Sequence, residues 1–113
     1  MVERITMDKG NFLGYGNLED LELIGRTLGY DVYVEKEERT SMTVWVYDRN
    51  VTKRVRHIEG YMETRYRIAA KIDMSKELDA WHIDLVKVDS RYKGKNLAVK
   101  IYKFLLKKLD ITL

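Results

Sequence analysis

Apolar residues recur at every second position in three parts of the chain, which is the spacing of a β-strand. Residues 31–35 and 42–47 alternate valines with polar or aromatic neighbours, and the polar run 36–41 between them predicts a hairpin connection. The longest alternation covers residues 61–74, and the side chains of one face are Met62, Tyr66, Ile68, Ala70, Ile72 and Met74. The other face is largely charged, so the pattern predicts an antiparallel strand with one face in water.

A denser apolar run covers residues 80–88. Its apolar side chains fall on both alternating faces: Trp81, Ile83, Leu85, Val86 and Val88. A strand that is apolar on both faces is normally covered on both, so this run predicts a strand in the centre of the sheet. We interpret Trp45, Tyr66 and Trp81 as packing residues of the core or of a sheet face, with no cofactor role.

Two other segments have helical spacing. Asn17 is a suitable N-cap for a helix with one apolar face made of Leu18, Leu21, Ile24 and Leu28. Gly29 follows at the position of a helix C′ residue. The second segment presents Leu97, Ile101, Phe104, Leu105 and Leu109 on one side and Lys100, Lys103 and Lys107 on the other. Residues 111–113 then have the character of the first residues of a strand.

These elements predict the fold class α/β (α+β), with a mixed, mainly antiparallel sheet and flanking helices. At 113 residues the chain is one domain, residues 1–113, and its 45% of hydrophobic residues can form a core.

Composition excludes several classes of protein. No cysteine is present, so neither a disulfide framework nor a thiolate metal site is available, and two histidines 25 residues apart define no metal site. There is no Gly-x-Ser-x-Gly motif of a serine nucleophile. The N-terminus lacks a signal-peptide core, and no stretch approaches the roughly 20 apolar residues of a membrane span. We expect a cytoplasmic protein that does not enter a membrane.

Positive charge is concentrated near the C-terminus. Residues 91–109 contain seven basic residues and no acidic one, whereas the rest of the chain has 14 basic and 18 acidic residues. Such a field favours a phosphate-bearing ligand, either a nucleotide cofactor or a nucleic-acid backbone. The simplest interpretation of the lysines at helical spacing is still a solvated helix face.

The segment 86–98 carries the clearest chemistry. A buried strand is followed by a basic turn containing Gly94, and a helix begins directly after it. The first amides of a helix lack intrahelical partners and lie at the positive end of its dipole, so a phosphate can bind there. Glycine lets the ligand approach the backbone, and the lysines add charge.

This segment resembles the acyl-CoA-binding loop of the GCN5-related N-acetyltransferases, which has the pattern Arg/Gln-x-x-Gly-x-Gly/Ala after a strand. Lys93 takes the Arg/Gln place, Asn96 takes the central glycine and Ala98 closes the motif. The free positions are Gly94, Lys95 and Leu97. Upstream, Val86 and Val88 match strand residues whose main chain holds the pantetheine arm in that family, and Tyr92 matches an aromatic residue before the loop. The short, basic chain is similar to bacteriophage-encoded members.

The resemblance implies an acyl-CoA N-acyltransferase-like fold and direct transfer of an acetyl group from acetyl-CoA to an amine, which is a small molecule or a protein. Asp84, or His82 on the same side of the strand, is the candidate base that removes a proton from the amine. The alternative is structural, with Asp84 paired to a neighbouring Arg or Lys and His82 satisfied in the sheet.

Two departures from the family bear on these expectations. Asn96 places a side chain where the family has glycine, although Asn tolerates positive φ well. The resemblance covers residues 42–113, and the family continues with a fifth strand, a fourth helix and two more strands that complete the acceptor site and in many members provide a proton-donating tyrosine. The expected alternatives are an excised or truncated domain, a second chain that supplies the rest, or a fold without catalysis.

Two other functions stay open on the sequence. One is a non-catalytic binding or assembly module that engages a partner or a second copy through an open sheet edge or the basic helix. The other is a small nucleic-acid-binding protein, since a second basic cluster, beside Tyr47 and Tyr61, consists of Arg49, Lys53, Arg54 and Arg56. A turn between strands is the simpler interpretation of this cluster.

Overall fold

The computed structural model describes residues 12–27 and 29–109. Its elements, in chain order, are β1 (Tyr15–Gly16), β2 (Glu22–Thr27), β3 (Tyr30–Glu38), β4 (Ser41–Arg56), β5 (Met62–Glu77), β6 (Ala80–Val88), a 3₁₀ helix (Ser90–Tyr92) and α1 (Leu97–Lys108). The predicted α+β class is therefore confirmed, with one α-helix among the described residues rather than several flanking ones.

The six strands form one sheet in which every described pairing is antiparallel. Strands β2, β3, β4 and β5 lie side by side in chain order. The far edge of β5 is shared, because β1 pairs with it at residues 66–67 and β6 pairs with it at residues 70–77. From β2 to β6, consecutive strands joined by short turns form a meander in which each strand pairs with its neighbour in sequence.

Helix α1 covers one face of the sheet, as its apolar spacing predicts. Its buried side chains Leu97, Ile101 and Leu105 pack on strand residues that are almost completely buried: Val32, Val34, Met42, Val44, Val46, Ala70, Ile72 and Met74. The helix reaches β2, where a Cβ on Gly25 would lie 2.4 Å from Cζ of Phe104. A side chain at position 25 would therefore require the Phe104 ring to move.

The opposite face carries a smaller cluster. Tyr33, Tyr47 and Ile68 are buried there, and the partly buried residues around them are Leu13, Leu18, Leu21, Trp45 and Tyr66. The predicted packing roles of Trp45 and Tyr66 are confirmed, and Trp81 packs on the helix side. The segment before β2 thus covers the face that α1 leaves open.

Two β-bulges explain where the sequence pattern misleads. In β5, Ala70 lies opposite Val46 and Ile68 lies opposite Tyr47, so Ala69 is an extra residue. In β6, Ile83 lies opposite Met74 and Leu85 lies opposite Asp73, so Asp84 is the extra residue. One inserted residue moves all following side chains to the other face. The face predicted from Tyr66 to Met74 is therefore split, with Tyr66 and Ile68 on one side and Ala70, Ile72 and Met74 on the other.

The prediction that residues 80–88 form a central strand is wrong in position. Strand β6 forms where expected, but it is an edge strand that pairs only with β5 among the described residues. The bulge at Asp84 brings Val86 and Val88 onto the same face as Trp81 and Ile83. Strict alternation along the sequence assigns these residues to two faces, although they share one. Leu85 and Val86 remain 46% and 42% exposed.

The predicted helix after Asn17 is also wrong. Residues 22–27 form β2, which pairs with β3, and Gly29 lies in the turn between them with φ of +89°. The apolar side chains do not share one helical face, because Ile24 packs on the α1 side while Leu18 and Leu21 pack on the other. Leu28, the last apolar position of that pattern, lies outside the described residues.

The hairpin connection at 36–41 and the strand at 61–74 form as predicted, but the strands are longer than expected. The first turn shortens to residues 39–40, and β4 and β5 each have 16 residues. The basic cluster 49–56, which the simpler interpretation placed in a turn, is part of β4. Residues 111–113, predicted to start a strand, lie outside the described residues. No helix of the described chain has the length and apolar character needed to cross a membrane.

Candidate functional site

The segment between β6 and α1 forms a tight basic turn. After the 3₁₀ helix, Lys93 is extended, Gly94 has φ of +85°, and Asn96 caps α1 in the left-handed conformation with φ of +57°. Asn is one of the few residues other than glycine that adopt this conformation readily, which agrees with its expected tolerance here. The Asn96 side chain makes no capping hydrogen bond, so the first amides of α1 are left for other acceptors.

Asp89 anchors this turn, a role that the sequence reasoning missed. Its fully buried carboxylate accepts hydrogen bonds from the Leu13 amide, the Arg91 amide and the Arg91 guanidinium, all at 2.9 Å. Burial acts to raise the pKa of Asp89, but the bonds from Arg91 and Leu13 outweigh it and lower that pKa to about 2. The bond to the amide two residues on is a usual Asp turn, so a local signal existed. The contact with Leu13 depends on the fold.

Tyr92, which precedes the turn, is a buried residue that packs against it. Its ring is buried, meets Tyr30 edge-on at 6.0 Å and lies under the Lys95 ammonium, 5.8 Å from the ring centroid. Its hydroxyl donates a 2.5 Å hydrogen bond to Asp48. Burial and that bond raise the pKa of Tyr92 to about 12, so the phenol stays protonated at neutral pH. Tyr92 is a packing residue whose hydroxyl is already engaged.

Two cavities meet at the first turn of α1. The first is a groove of about 270 Å³ between β6 and the helix, and its lining is almost entirely apolar: Ala70, Ile72, Ile83, Val86, Ala98, Val99, Ile101, Tyr102 and Leu105. The second, about 360 Å³, lies at the basic turn and is lined by Val88, Tyr92, Lys93, Gly94, Asn96, Leu97, Ala98 and Val99. Ala98 and Val99 line both cavities, so the two are adjacent; the lining of each is mainly apolar, and Lys93 and the start of α1 border the second.

The structure brings most of the predicted cofactor residues to this surface. Val86 and Ala98 line the groove, and Val88, Lys93, Gly94, Asn96 and Leu97 line the cavity at the turn. Leu97 is also a core residue, only 2% exposed. Lys95 lines neither cavity and lies over Tyr92.

Asp84 lies outside both cavities, on the bulge of β6. Its exposed carboxylate accepts a 3.0 Å hydrogen bond from the hydroxyl of Ser75 on β5, rather than an ion pair with Arg or Lys. His82 lies directly opposite Ser75 and is half-buried. A bulge of this kind re-aims a side chain at the edge of a sheet. The Asp84 carboxylate has further acceptor positions besides the one used by Ser75.

No three His, Asp or Glu side chains within residues 12–27 and 29–109 are placed to hold a metal ion. The chain was compared with protein-family models, with curated proteins and with solved structures, and none matched it. The class that the described residues define is an α+β protein with a six-stranded antiparallel sheet and one helix across one face. What it binds must follow from its own residues.

Proposed function

We propose that this chain binds acetyl-CoA and transfers the acetyl group to an amine. The observation that carries the proposal is the junction of the two cavities at Ala98 and Val99. An acyl-CoA suits this arrangement, because its long thioester arm of low polarity matches the apolar lining and its pyrophosphate can meet Lys93 and the N-terminus of α1 at one end. The resemblance of residues 86–98 to the N-acetyltransferase loop leads to the same ligand independently of the cavities.

The pyrophosphate belongs at the turn. The amides that begin α1 carry no side-chain cap, and Gly94 leaves open space where a Cβ would stand. Backbone donors at a helix N-terminus together with nearby lysines favour a polyanion. The left-handed Asn96 keeps the backbone of the turn tight while occupying the place of the family's glycine.

The thioester arm belongs in the apolar groove beside β6. Only one edge of β6 is paired among the described residues, so the other edge offers amides and carbonyls to an extended ligand. Val86 lines the groove at that edge.

The proposed base is Asp84, on the bulge of β6 and outside both cavities. The amine nitrogen attacks the thioester carbonyl, its proton passes to the Asp84 carboxylate directly or through water, and the C–S bond breaks to give an amide and a CoA thiolate that takes a proton from solvent. No covalent enzyme intermediate is needed, because holding the two reactants together supplies much of the rate.

Binding is tested by calorimetry with acetyl-CoA on the wild-type chain and on Val99→Glu. Val99 is 52% exposed, so the glutamate is tolerated by the fold but places a negative charge where the cavities meet. Leu106→Glu is the matched control on the same helix, at a residue that is 40% exposed and lines neither cavity. We expect saturable binding that Val99→Glu weakens at least tenfold and Leu106→Glu preserves. Equal effects of the two variants, or no binding at millimolar acetyl-CoA, would contradict the proposal.

Transfer is tested with Asp84→Asn and a panel of small amines and lysine peptides, by thiol release from acetyl-CoA. We expect thiol release to fall at least tenfold in Asp84→Asn while the calorimetric affinity stays unchanged. Retained transfer would exclude Asp84 as the base without affecting the binding proposal.

A second candidate function is assembly through β6. The strand exposes Leu85 and Val86 beside an edge with which no described strand pairs, and this suits strand pairing with a second copy or another protein. Sedimentation over a range of concentrations tests self-association, with Leu85→Lys expected to abolish it. A chain that stays monomeric and binds acetyl-CoA supports the first function alone.

A further inference from the structure

The β4–β5 hairpin continues beyond the part of the sheet in which other strands pair with it. We call residues 52–66 the arm: its strands, 52–56 and 62–66, pair with each other, and a turn at residues 57–61 joins them. Except for Tyr66, which also meets β1 at Gly16, no described third strand pairs with the arm. The arm is therefore a two-stranded ribbon that is largely open to solvent on both faces.

The arm carries cations that have no described anionic partner. Lys53, Arg54 and Arg56 are exposed and form no salt bridge with any described carboxylate. By contrast, Arg49 at the base of the arm lies 3.1 Å from Asp31, and Arg65 lies 2.8 Å from Glu63. The unpaired charge is thus concentrated on one strand of the ribbon.

The placement of these cations does not help folding. Lys53 lies directly opposite Arg65, and two like charges at such a position destabilise an antiparallel pair. Arg54 and Arg56 lie on one face of the strand and Lys53 lies on the other, so cations project from both faces. A pattern that costs folding stability suggests an external anion.

Aromatic rings lie between and beyond the cations. The ring of Tyr15 has Lys53 and Arg67 each 5.5 Å from its centroid. At the tip, Tyr61 stacks on His57 at 4.2 Å and is 54% exposed. Cations interleaved with accessible rings form the kind of surface that holds a single nucleic-acid strand, with charges on the phosphates and rings on the bases.

We infer that the arm binds the sugar-phosphate backbone of nucleic acid, with Lys53, Arg54 and Arg56 on phosphates and Tyr61 stacked on a base. The cations follow the strand over about 10 Å, from position 53 to position 56 at about 3.3 Å per residue. A lipid surface would meet only the tip, where Glu59 opposes an anionic membrane. A linear anion fits the distribution better. This surface uses none of the residues of the acyl-CoA proposal.

The test is fluorescence anisotropy with a labelled 20-nucleotide single strand on the full chain. The arm variant Lys53→Gln/Arg54→Gln/Arg56→Gln is compared with Lys100→Gln/Lys103→Gln/Lys107→Gln on the exposed face of α1, which removes the same charge. We expect the arm variant to weaken binding at least tenfold and the helix variant less than about threefold. With about three phosphates neutralised, the logarithm of the affinity should fall with the logarithm of salt concentration with a slope of about −2.

Equal losses in the two triple variants would overturn the inference, because general positive charge would then explain binding. Circular dichroism of both variants confirms that they fold. Acetyl-CoA affinity should be unchanged in the arm variant, so failure here and failure of the acyl-CoA proposal are distinguishable.

The form of nucleic acid is tested by repeating the titration with a duplex and with Tyr61→Leu. Stacking on an exposed ring predicts tighter binding to the single strand, and Tyr61→Leu should reduce that affinity at least about fivefold. A loss of the same size on the duplex would contradict stacking by Tyr61. Binding to vesicles of anionic lipid without binding to either nucleic acid would overturn the inference as a whole.

Discussion

The two halves of the β4–β5 hairpin differ sharply in their surroundings. Inside the sheet, Val44, Val46 and Ile72 are buried under α1, whereas the arm has no residue buried to that degree. Strand pairing continues through both halves, with an irregularity between Asp48 and Thr52 where they meet. Backbone hydrogen bonds are thus shared by both halves, and side-chain burial separates them.

This difference teaches that the arm is free to carry a sequence that the body of the protein cannot. Buried positions are apolar unless their polar groups are paired, because an unpaired charge there costs several kcal/mol. Positions on the arm are solvated, so cations can be placed there at little cost. The inner half stabilises the fold, and the outer half is available for binding.

The test with the largest expected effect compares two methionines of β5, one in the core and one on the arm. Met74 is 2% exposed in the core, and Met62 is 42% exposed on the arm. We expect Met74→Ala to lower the free energy of unfolding by about 3 kcal/mol, from lost burial and the cavity left behind. Met62→Ala should lower it by less than about 0.5 kcal/mol. Urea denaturation measures both, and similar losses would break the comparison.

A second test compares two carboxylates whose pKa is lowered to about 2. Asp89 is buried in the body, while Glu63 on the arm owes its low pKa first to Arg65, then to His57 and Asn17. Because the folded-state pKa of Asp89 lies below the ordinary aspartate pKa of 3.8, its contribution to stability is full above pH 5 and is lost as pH falls through 3.8 toward 2. That contribution is about 2 kcal/mol.

We therefore expect Asp89→Asn to be destabilised at pH 7 by about 2 kcal/mol, with the difference from wild type shrinking between pH 5 and pH 2. Glu63→Gln should change stability less, since its site is on the solvated arm. Urea denaturation across this pH range measures both variants. A difference for Asp89→Asn that does not depend on pH would show that packing, rather than its charge, matters.

A third test concerns the turn between β5 and β6. Leu78 and Asp79 have φ of +51° and +67°, a conformation that costs most side chains about 1 kcal/mol or more. Leu78→Asn combined with Asp79→Gly supplies the residues that such two-residue turns prefer. We expect thermal unfolding to show stabilisation by about 1 kcal/mol. A destabilised variant would mean that exposed Leu78 makes contacts that matter.

The smallest expected effect lies on the arm itself. Lys53→Glu replaces a like-charge pair with an attractive one opposite Arg65, so stability should rise by a few tenths of a kcal/mol. Affinity for a single strand should fall in the same variant. Denaturation measures the change in stability, and anisotropy measures the change in affinity. A rise in stability together with a fall in affinity would show that the native arm favours binding over stability. A parallel rise in stability and affinity would contradict it.

Much of the secondary structure was predictable, because periodicity reports local geometry directly. Strands around 31–35, 42–47, 61–74 and 80–88 and the helix from Leu97 all form. The errors occur where a side chain's neighbours are distant in sequence. The helix predicted after Asn17 gives way to a strand because β3 offers pairing partners and Gly25 makes room for Phe104. The bulges at Ala69 and Asp84 shift the face of β5 and β6 without a clear mark in composition.

The candidate site was predictable in part for the same reason. A basic turn with Gly94 between a strand and a helix is local, and it forms with Asn96 in the conformation that its residue type permits. Two contacts that hold the turn are not local. The bond from the Leu13 amide to Asp89 spans 76 positions, and the bond from Tyr92 to Asp48 spans 44 positions. No spacing rule over short windows reveals contacts of that range.

The sequence by itself determined the α+β class, the strand and helix segments and the basic turn, because each depends on neighbouring residues and the period of the backbone. Only the tertiary structure decided that β6 lies at the edge, that two cavities meet at the start of α1, and that the second basic cluster stands on an extended ribbon. Those features depend on strand order and register, which are set by burial across the whole chain.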